Sequence, residues 1–429
     1  MSTAVKTQAA LISADARPAS GAWAADARAD AANRLAAMGL PTRRDEYWKW
    51  TRPDSLISAS ADSAVVLDYE GEEPLFNDVD RLKVVFVDGV FDADESDALE
   101  GEGLEIERLA DAAAKDIHWA KDLYGVLEAR GQSPVVRPLA VHNTAMATDG
   151  VVIRVTGAVS RPVSLIYRHE DAGSDAILHS VIRLEEGAKL TLLENGPAAA
   201  RFSNVLEVDI AKGAEFHHVR AQGRDHERQA ITHMFSQVDE EAVFKSFTMT
   251  VNGKLTRNEC VIDIVGDNAV AHVAGAVLGD GAAGEFHHDD TVFVTHDAVA
   301  CESRQVFKKV LKNGAKGVFQ GKILVKPDAQ KTDGYQKSQS LLLDDDASFQ
   351  AKPELEIYAD DVACSHGSTS GAIDEEALFY LRSRGVPTPI ATDLLVLAFL
   401  ADAIEEIEDE DIAAEVTERL DAWLARRRD

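Results

Sequence analysis

Cys364 and His366 stand two residues apart in the stretch D-V-A-C-S-H-G-S-T-S-G, Asp361 to Gly371. If that stretch is extended, alternate side chains fall on one face, so the thiol and the imidazole reach toward one target. Both groups are ligands for soft or borderline metals. The surrounding glycine, serine and threonine suit a tight, hydrogen-bonded backbone. Two ligands do not complete a four-coordinate site, so the others must come from distant residues or from a second chain. A Cys–His hydrolase dyad is the enzymatic alternative, but no third member or oxyanion motif can be placed.

The other reactive residues read as structural. Cys260 and Cys301 lie in strand-like contexts, N-E-C-V-I-D-I and A-V-A-C-E-S, where a buried free thiol is common. Thirteen histidines include the adjacent pairs His217–His218 and His287–His288. Neighbours in a strand point to opposite faces, which makes each pair a poor chelate. His226, His233 and His296 leave open an interior ladder of His and Cys that would bind metal across repeats. Histidines hydrogen-bonded on a polar face are the preferred reading. No G-x-x-x-x-G-K-[ST] motif is present, and G-A-V-L-G-D-G-A-A-G does not follow the dinucleotide pattern. Any ATP chemistry must therefore come from another subunit.

The chain has 429 residues, 45% of them hydrophobic, and a formal net charge of -30. That length supports a sizeable core and two or three domains. The charge argues against a non-specific grip on nucleic acid or on an anionic membrane. Three scattered cysteines without C-x-x-C argue against a disulfide framework and for a reducing compartment. The start, M-S-T-A-V-K-T-Q, lacks the apolar core of a signal peptide. The apolar run at 390–400 is broken by Asp393 and too short to span a bilayer. A cytoplasmic protein is expected.

Three regions must position the candidate residues. In 1–130, Gly21–Met38 can form a helix with Trp23, Ala27, Leu35 and Met38 on one face, stopped by Gly39 and Pro41. The segment R-R-D-E-Y-W-K-W-T-R-P follows. Tyr47, Trp48 and Trp50 read as an aromatic anchor onto the body, or as a recognition surface. L-K-V-V-F-V is strand-like, and 104–129 reads as two short helices. Region 131–372 is a succession of short strands with almost no helical periodicity. In V-L-E-V-D-I, Val205, Glu207 and Asp209 take one face and Leu206, Val208 and Ile210 the other. Ala188, Ala214, Ala242, Ala269 and Ala298 recur at intervals of 26, 28, 27 and 29. A recurrence near 27 fits a solenoid whose coils share one core, with a double-sheet barrel or sandwich as the runner-up. Region 373–429 is helical. Asp374 caps the first helix and Gly385 ends it, an apolar helix follows Thr388, and the acidic turn I-E-E-I-E-D-E-D comes next. The last helix carries Ile412, Val416, Leu420 and Leu424 on one face, to cover the solenoid end or another chain.

Several long motifs together resemble the SufB/SufD family of iron–sulfur cluster assembly proteins. They are A-Q-K-T-D-G-Y-Q-K-S-Q-S-L-L-L from Ala329, K-P-E-L-E-I-Y-A-D-D-V-A-C-S-H-G from Lys352, and F-Y-L-R-S-R-G from Phe379. Upstream, R-x-E at Arg257 to Glu259 and F-K-K-V-L-K-N-G-A-K-G-V-F-Q-G-K-I-x-V at Phe307 to Val325 also match, as does E-Y-W-K-W-T. Length and cysteine poverty fit the SufD branch.

The resemblance implies a fold: mainly β, a right-handed parallel β-helix (solenoid) core flanked by N-terminal and C-terminal helical regions. It implies a non-catalytic scaffold of a SufBCD-type complex. The chain would pair with a SufB-like subunit and bind a SufC-like ABC ATPase through 373–429. It would act indirectly with a cysteine desulfurase system. The implied cargo is a nascent iron–sulfur cluster, transient and shared with the partner subunit, with no nucleotide bound by this chain. Carried over, His366 is the implied metal ligand across the interface, and Cys364 either helps or is a packed thiol. Arg382 and Arg384, or the acidic residues 405–411, are the docking charges it offers. A structural β-helix homodimer without a cluster role is the alternative, and a self-contained metalloenzyme is a third reading. No nucleic acid or membrane partner is implied.

Overall fold

The computed structural model describes residues 17–66, 75–196, 198–223 and 226–426. The start M-S-T-A-V-K-T-Q, the acidic piece 67–74 and the last three residues lie outside them.

Strands exceed helices, 41% to 22%, and about seven turns of a parallel β-solenoid form the body. Four short strands precede it: β1 (Leu82–Val87), β2 (Val90–Asp92), β3 (Glu100–Gly101) and β4 (Leu104–Arg108). From β5 (Val151–Val155) and β6 (Val163–Arg168) onward, successive strands alternate between two sheets. One sheet carries β8 (Lys189–Gly196), β10 (Glu215–Gln222), β12 (Val243–Val251), β14 (Val270–Asp280), β16 (Glu302–Lys312), β18 (Asp333–Leu342) and β20 (Ala363–Gly371). The other carries β7 (Asp175–Leu184), β9 (Arg201–Ile210), β11 (Gln229–Val238), β13 (Leu255–Ile264), β15 (His287–His296), β17 (Lys316–Val325) and β19 (Ser348–Ile357). They are called the even and odd sheets below.

Parallel register stacks like on like. In the odd sheet Leu184, Ile210, Val238 and Ile264 form one inward column that His296, Val325 and Ile357 continue. Branched side chains in such a column pack well against the pleat. The alternation read in V-L-E-V-D-I holds: Leu206, Val208 and Ile210 enter the core between the sheets. Val205 and Glu207 are also buried, because helices cover the outer face. Ala188, Ala214, Ala242 and Ala269 each precede an even strand and are fully buried. Ala298 does not continue that column. Register puts Cys301 and then Thr332 opposite Ala269, so the later coils are longer, about 30 residues.

Helices α1 (Ala22–Met38), α2 (Leu109–Ala114), α3 (Val126–Arg130) and α4 (Pro138–Met146) pack over the odd sheet. Two readings change here. Residues 104–129 begin with strand β4, not with a helix. Helix α4 interrupts what the sequence offered as a strand-only region: Pro138 opens it, and it buries Leu139, Val141 and Met146. Tyr47 and Trp48 are buried, the anchor reading. Tyr47 packs edge-on to Phe293 at 5.2 Å between centroids, and Arg257 lies 4.1 Å from the Trp48 ring centroid.

At the other end, Asp374 accepts hydrogen bonds from the N–H groups of Glu376 and Ala377 and so caps α5 (Glu375–Ser383). Then come α6 (Thr388–Ile404) and α7 (Glu410–Ala425). Ile412, Val416, Leu420 and Leu424 pack with Val396 and Leu400 against Val219, Phe247 and Met249 of the even sheet's outer face. The stripe therefore covers the flank of the solenoid, not its end. No described helix is long and apolar enough to cross a membrane.

Candidate functional site

The sequence A-C-S-H-G-S-T-S-G folds as β20, the terminal strand of the even sheet. It is extended because it continues the register of β18, with Gln336 opposite His366 and Gly334 opposite Cys364. Among the described residues its other edge has no strand beside it, and neither has that of β19, so both sheets end together. The first coil is different. There β1–β2 and β3–β4 are antiparallel hairpins that close the solenoid. Among the described residues, one end is capped and the other presents open strand edges, an arrangement that invites pairing with another chain.

Cys364 and His366 share the inward face at this open end. Cys364 ends the column Leu190, Phe216, Phe244, Ala271, Ser303, Gly334. The column narrows toward the end, and a Cβ on Gly334 would lie 3.1 Å from the Cys364 sulfur. Cys364 is half-buried beside Ile323 and Leu355. Burial raises its thiol pKa and nearby Asp333 adds to this, against the Gly334 N–H. The resting side chain is therefore a thiol. His366 follows Gln305 and Gln336, which are joined by a 2.7 Å hydrogen bond from Gln336 Nε2 to Gln305 Oε1. His366 is exposed. Further along, Ser338 meets Ser368 at 2.6 Å and Ser340 donates to Ser370 at 2.9 Å, so the floor stays polar.

No described group of three or more His, Cys, Asp and Glu side chains converges as a metal site. The other candidates separate as strand geometry requires. His218 points inward to Glu194 at 2.8 Å, and His217 outward to Glu408 at 3.2 Å. His288 faces inward to Lys309 Nζ at 2.9 Å, and His287 outward to Thr51 at 2.9 Å. His233 is buried 3.9 Å from Glu259, and His296 meets Ser303 at 2.8 Å. Burial pushes the Cys260 thiol up to about 12, and Cys301 is buried and donates to Gly266 O at 3.3 Å. These are structural groups. His226 borders a cavity on the outer face of the even sheet.

The sequence reading missed the charges inside the solenoid. Tyr167 and Arg220 converge on Glu194 at 2.7 Å each, and Arg220 donates to Thr232 at 2.9 Å. Lys309 donates to Asp290 at 2.7 Å. Their only signal is a charge at an inward position of a strand. On the outer odd face, the R-x-E motif is a buried network. Glu259 accepts from Arg257 at 2.8 Å and from Arg137 at 2.9 Å, and Arg257 Nη1 donates to Tyr47 O at 2.8 Å. Burial alone would raise the Glu259 carboxyl, but Arg257, with His233 and Arg137, outweighs it and holds the pKa at about 2.

The F-Y-L-R-S-R-G motif forms exposed surface. Helix α5 buries no residue; Phe379 is 70% and Tyr380 55% exposed. Arg384 lies over the Tyr380 ring at 4.3 Å. The acidic turn is used differently. Glu406 bonds His272 at 2.9 Å, and Glu408 pairs with both His217 and Lys245, which ties the C-terminal helices to the solenoid.

Comparison with known proteins extends this reading. Residues 167–399 match the family described as SUF system FeS cluster assembly, SufBD core domain. The chain is 29% identical over 408 residues to the iron–sulfur cluster assembly protein SufD of Escherichia coli, covering 90% of each chain. It is 25% identical over 401 residues to a SufBD family iron–sulfur cluster assembly protein of Synechocystis, covering 89% of this chain and 86% of the relative. It is 27% identical over 266 residues to the iron–sulfur cluster assembly protein SufD of Bacillus subtilis, covering 59% of each.

Proposed function

The chain belongs to the SufBD family of the SUF system for iron–sulfur cluster assembly, and from that premise we propose that it is a SufD-type scaffold subunit. In this reading it acts without catalysing a reaction of its own. It pairs with a SufB-like subunit through the open end formed by β19 and β20. A nascent cluster is assembled there as transient cargo, with sulfur supplied through a cysteine desulfurase system. A SufC-like ATPase docks on the C-terminal helices and supplies the nucleotide chemistry.

The observation that carries this reading is the placement of His366: exposed, on the inward face of a strand whose outer edge is open, with no group of further metal ligands around it among the described residues. A partner strand laid along β20 would bring its own side chains to the same opening. Neutral imidazole then offers one nitrogen to iron, and the partner offers thiolate and carboxylate. Cys364, held as a thiol, is the lesser candidate and becomes a ligand only if the interface opens around it. Splitting the site between chains also allows gating, because separation removes ligands without unfolding either solenoid.

For the ATPase, exposed Phe379 and Tyr380 with Arg382 and Arg384 favour α5 over residues 405–411. Two of those acidic side chains, Glu406 and Glu408, are already paired inside the chain.

The test combines affinity purification of the chain from its own cells with the variant His366→Ala. The expected result is a SufB-like chain and ATPase chains recovered equally with both forms, and little cluster matured on the variant complex. Full maturation by His366→Ala would refute the ligand role. Recovery of the chain only as a homodimer, with both partners expressed, would favour the structural alternative.

A further inference from the structure

The two strands at the open end treat their free edges differently. In a parallel sheet, successive residues turn their N–H and C=O to opposite neighbours. The Ala363 N–H donates to Thr332 O at 2.8 Å, so the odd-numbered residues of β20 bond β18. Cys364, His366, Ser368 and Ser370 therefore turn their main-chain groups to the free edge. In β19 it is the odd-numbered residues that face the free edge, because the Ser348 N–H donates to Ala315 O at 3.0 Å. Pro353 is one of them and has no N–H to present. Lys352, Glu354 and Glu356 lie beside it. Proline and charge are the common guards of an unpaired edge. β20 has neither. From Ala363 to Gly371 there is no Asp, Glu, Lys or Arg, in a chain that is 28% charged.

An unguarded edge without charge suits a second copy of itself. Two copies can lay β20 against β20, antiparallel about a two-fold axis, with no like charges opposed. With the axis at Ser365, Cys364 of each copy stands opposite His366 of the other. Opposite residues that exchange both hydrogen bonds lie about 5.5 Å apart at Cα, and residues two apart in one strand about 7 Å. All four side chains then share the inward face. That spacing suits a single tetrahedral centre with bonds of about 2.0–2.3 Å, and a bound metal selects this register. His366 is exposed and Cys364 half-buried, so both reach the seam. Two thiolates and two neutral imidazoles leave a dication with no net charge, which suits a half-buried site on an uncharged strand. One copy supplies two ligands, and no group of three converges among the described residues.

We propose that two copies of this chain, paired through β20, bind one divalent cation of the Zn²⁺ type on Cys364 and His366 of each copy. Each thiol releases its proton to solvent as the sulfur takes the metal. The inference rests on the reading of the open end as a pairing surface, and it needs no SufB-like chain.

The purified full chain, without partners, can be titrated with Co²⁺, whose thiolate complexes absorb in the near ultraviolet. The absorption should saturate at one metal per two chains and vanish when Zn²⁺ displaces the cobalt. Sedimentation should shift toward the dimer with metal and back with a chelator. His366→Ala should weaken binding at least about tenfold, since even a residue behind a ligand is worth that much. Cys364→Ser should abolish the thiolate absorption. The first side chain is exposed and the second change nearly isosteric, so both variants fold. Saturation at one metal per chain, metal held by a monomer, or a thiolate signal that survives Cys364→Ser overturns the proposal, as does no binding. Capture of a SufB-like chain is read in a separate purification, so either reading can fail while the other stands.

Discussion

Arg257 shows how much one side chain organises. It joins Glu259 on β13 to Asp289 on β15, stacks under Trp48, and donates to the Tyr47 carbonyl. One guanidinium thus ties two coils to the N-terminal segment, a task that needs the planar, forked donor set. Glu259→Gln leaves this buried cation under-compensated and is expected to cost about 3–5 kcal/mol, read as a lower urea midpoint. A change below about 1 kcal/mol would contradict the network reading. Acid should act on the same groups. Burial holds His233, His287 and His296 at about 4, so between pH 6.5 and 4 the unfolded chain takes up protons that the folded chain refuses. Stability therefore falls as pH drops through that window. Glu259, ordinarily near 4.5 and held at about 2, adds a further loss below pH 4.5. Melting temperatures from pH 8 to 4 should decline steeply below 6.5, and a flat profile would count against this account.

The solenoid strands were legible because their period is two and their neighbours are like themselves. What spacing could not reveal was which alanine belongs to the stack. Ala298 fits an interval of 29 residues, but register seats Cys301 in the column, because the coil between β14 and β16 carries the insertion Gly281–Gly284. Helix α4 was missed for a related reason. It is short and buried on nearly every side, so it has no polar face to mark its period. Helix α5 is the opposite case, legible from its cap and buried nowhere. Phe379→Asp is expected to leave the melting temperature within about 1 °C, since the ring is 70% exposed, and to abolish capture of the ATPase in pull-down. Retained capture would move the docking surface elsewhere.

The two ends of the whole molecule differ. Antiparallel hairpins close the first coil, while β19 and β20 leave their outer edges open at the last. A solenoid with one open end behaves as half of a longer one. Amide exchange should therefore be fast along β20 in the isolated chain and slow at least about tenfold in the assembled complex, with the β1–β6 end unchanged. Equal protection of β20 in both states would place the interface somewhere else.

The sequence by itself determined the strands, the helical C-terminus and, for an extended stretch, the shared face of Cys364 and His366, because these follow from alternation, capping and turn residues, which are local; the recurrence near 27 favoured a solenoid over a sandwich without deciding between them. The long motifs also determined the family. Only the tertiary structure decided where the last coil ends, that its edge is open, and that Glu406 and Glu408 are spent on the solenoid. Those facts depend on which distant strands and helices meet. Burial, the term that fixes pKa values, exists only once they have met.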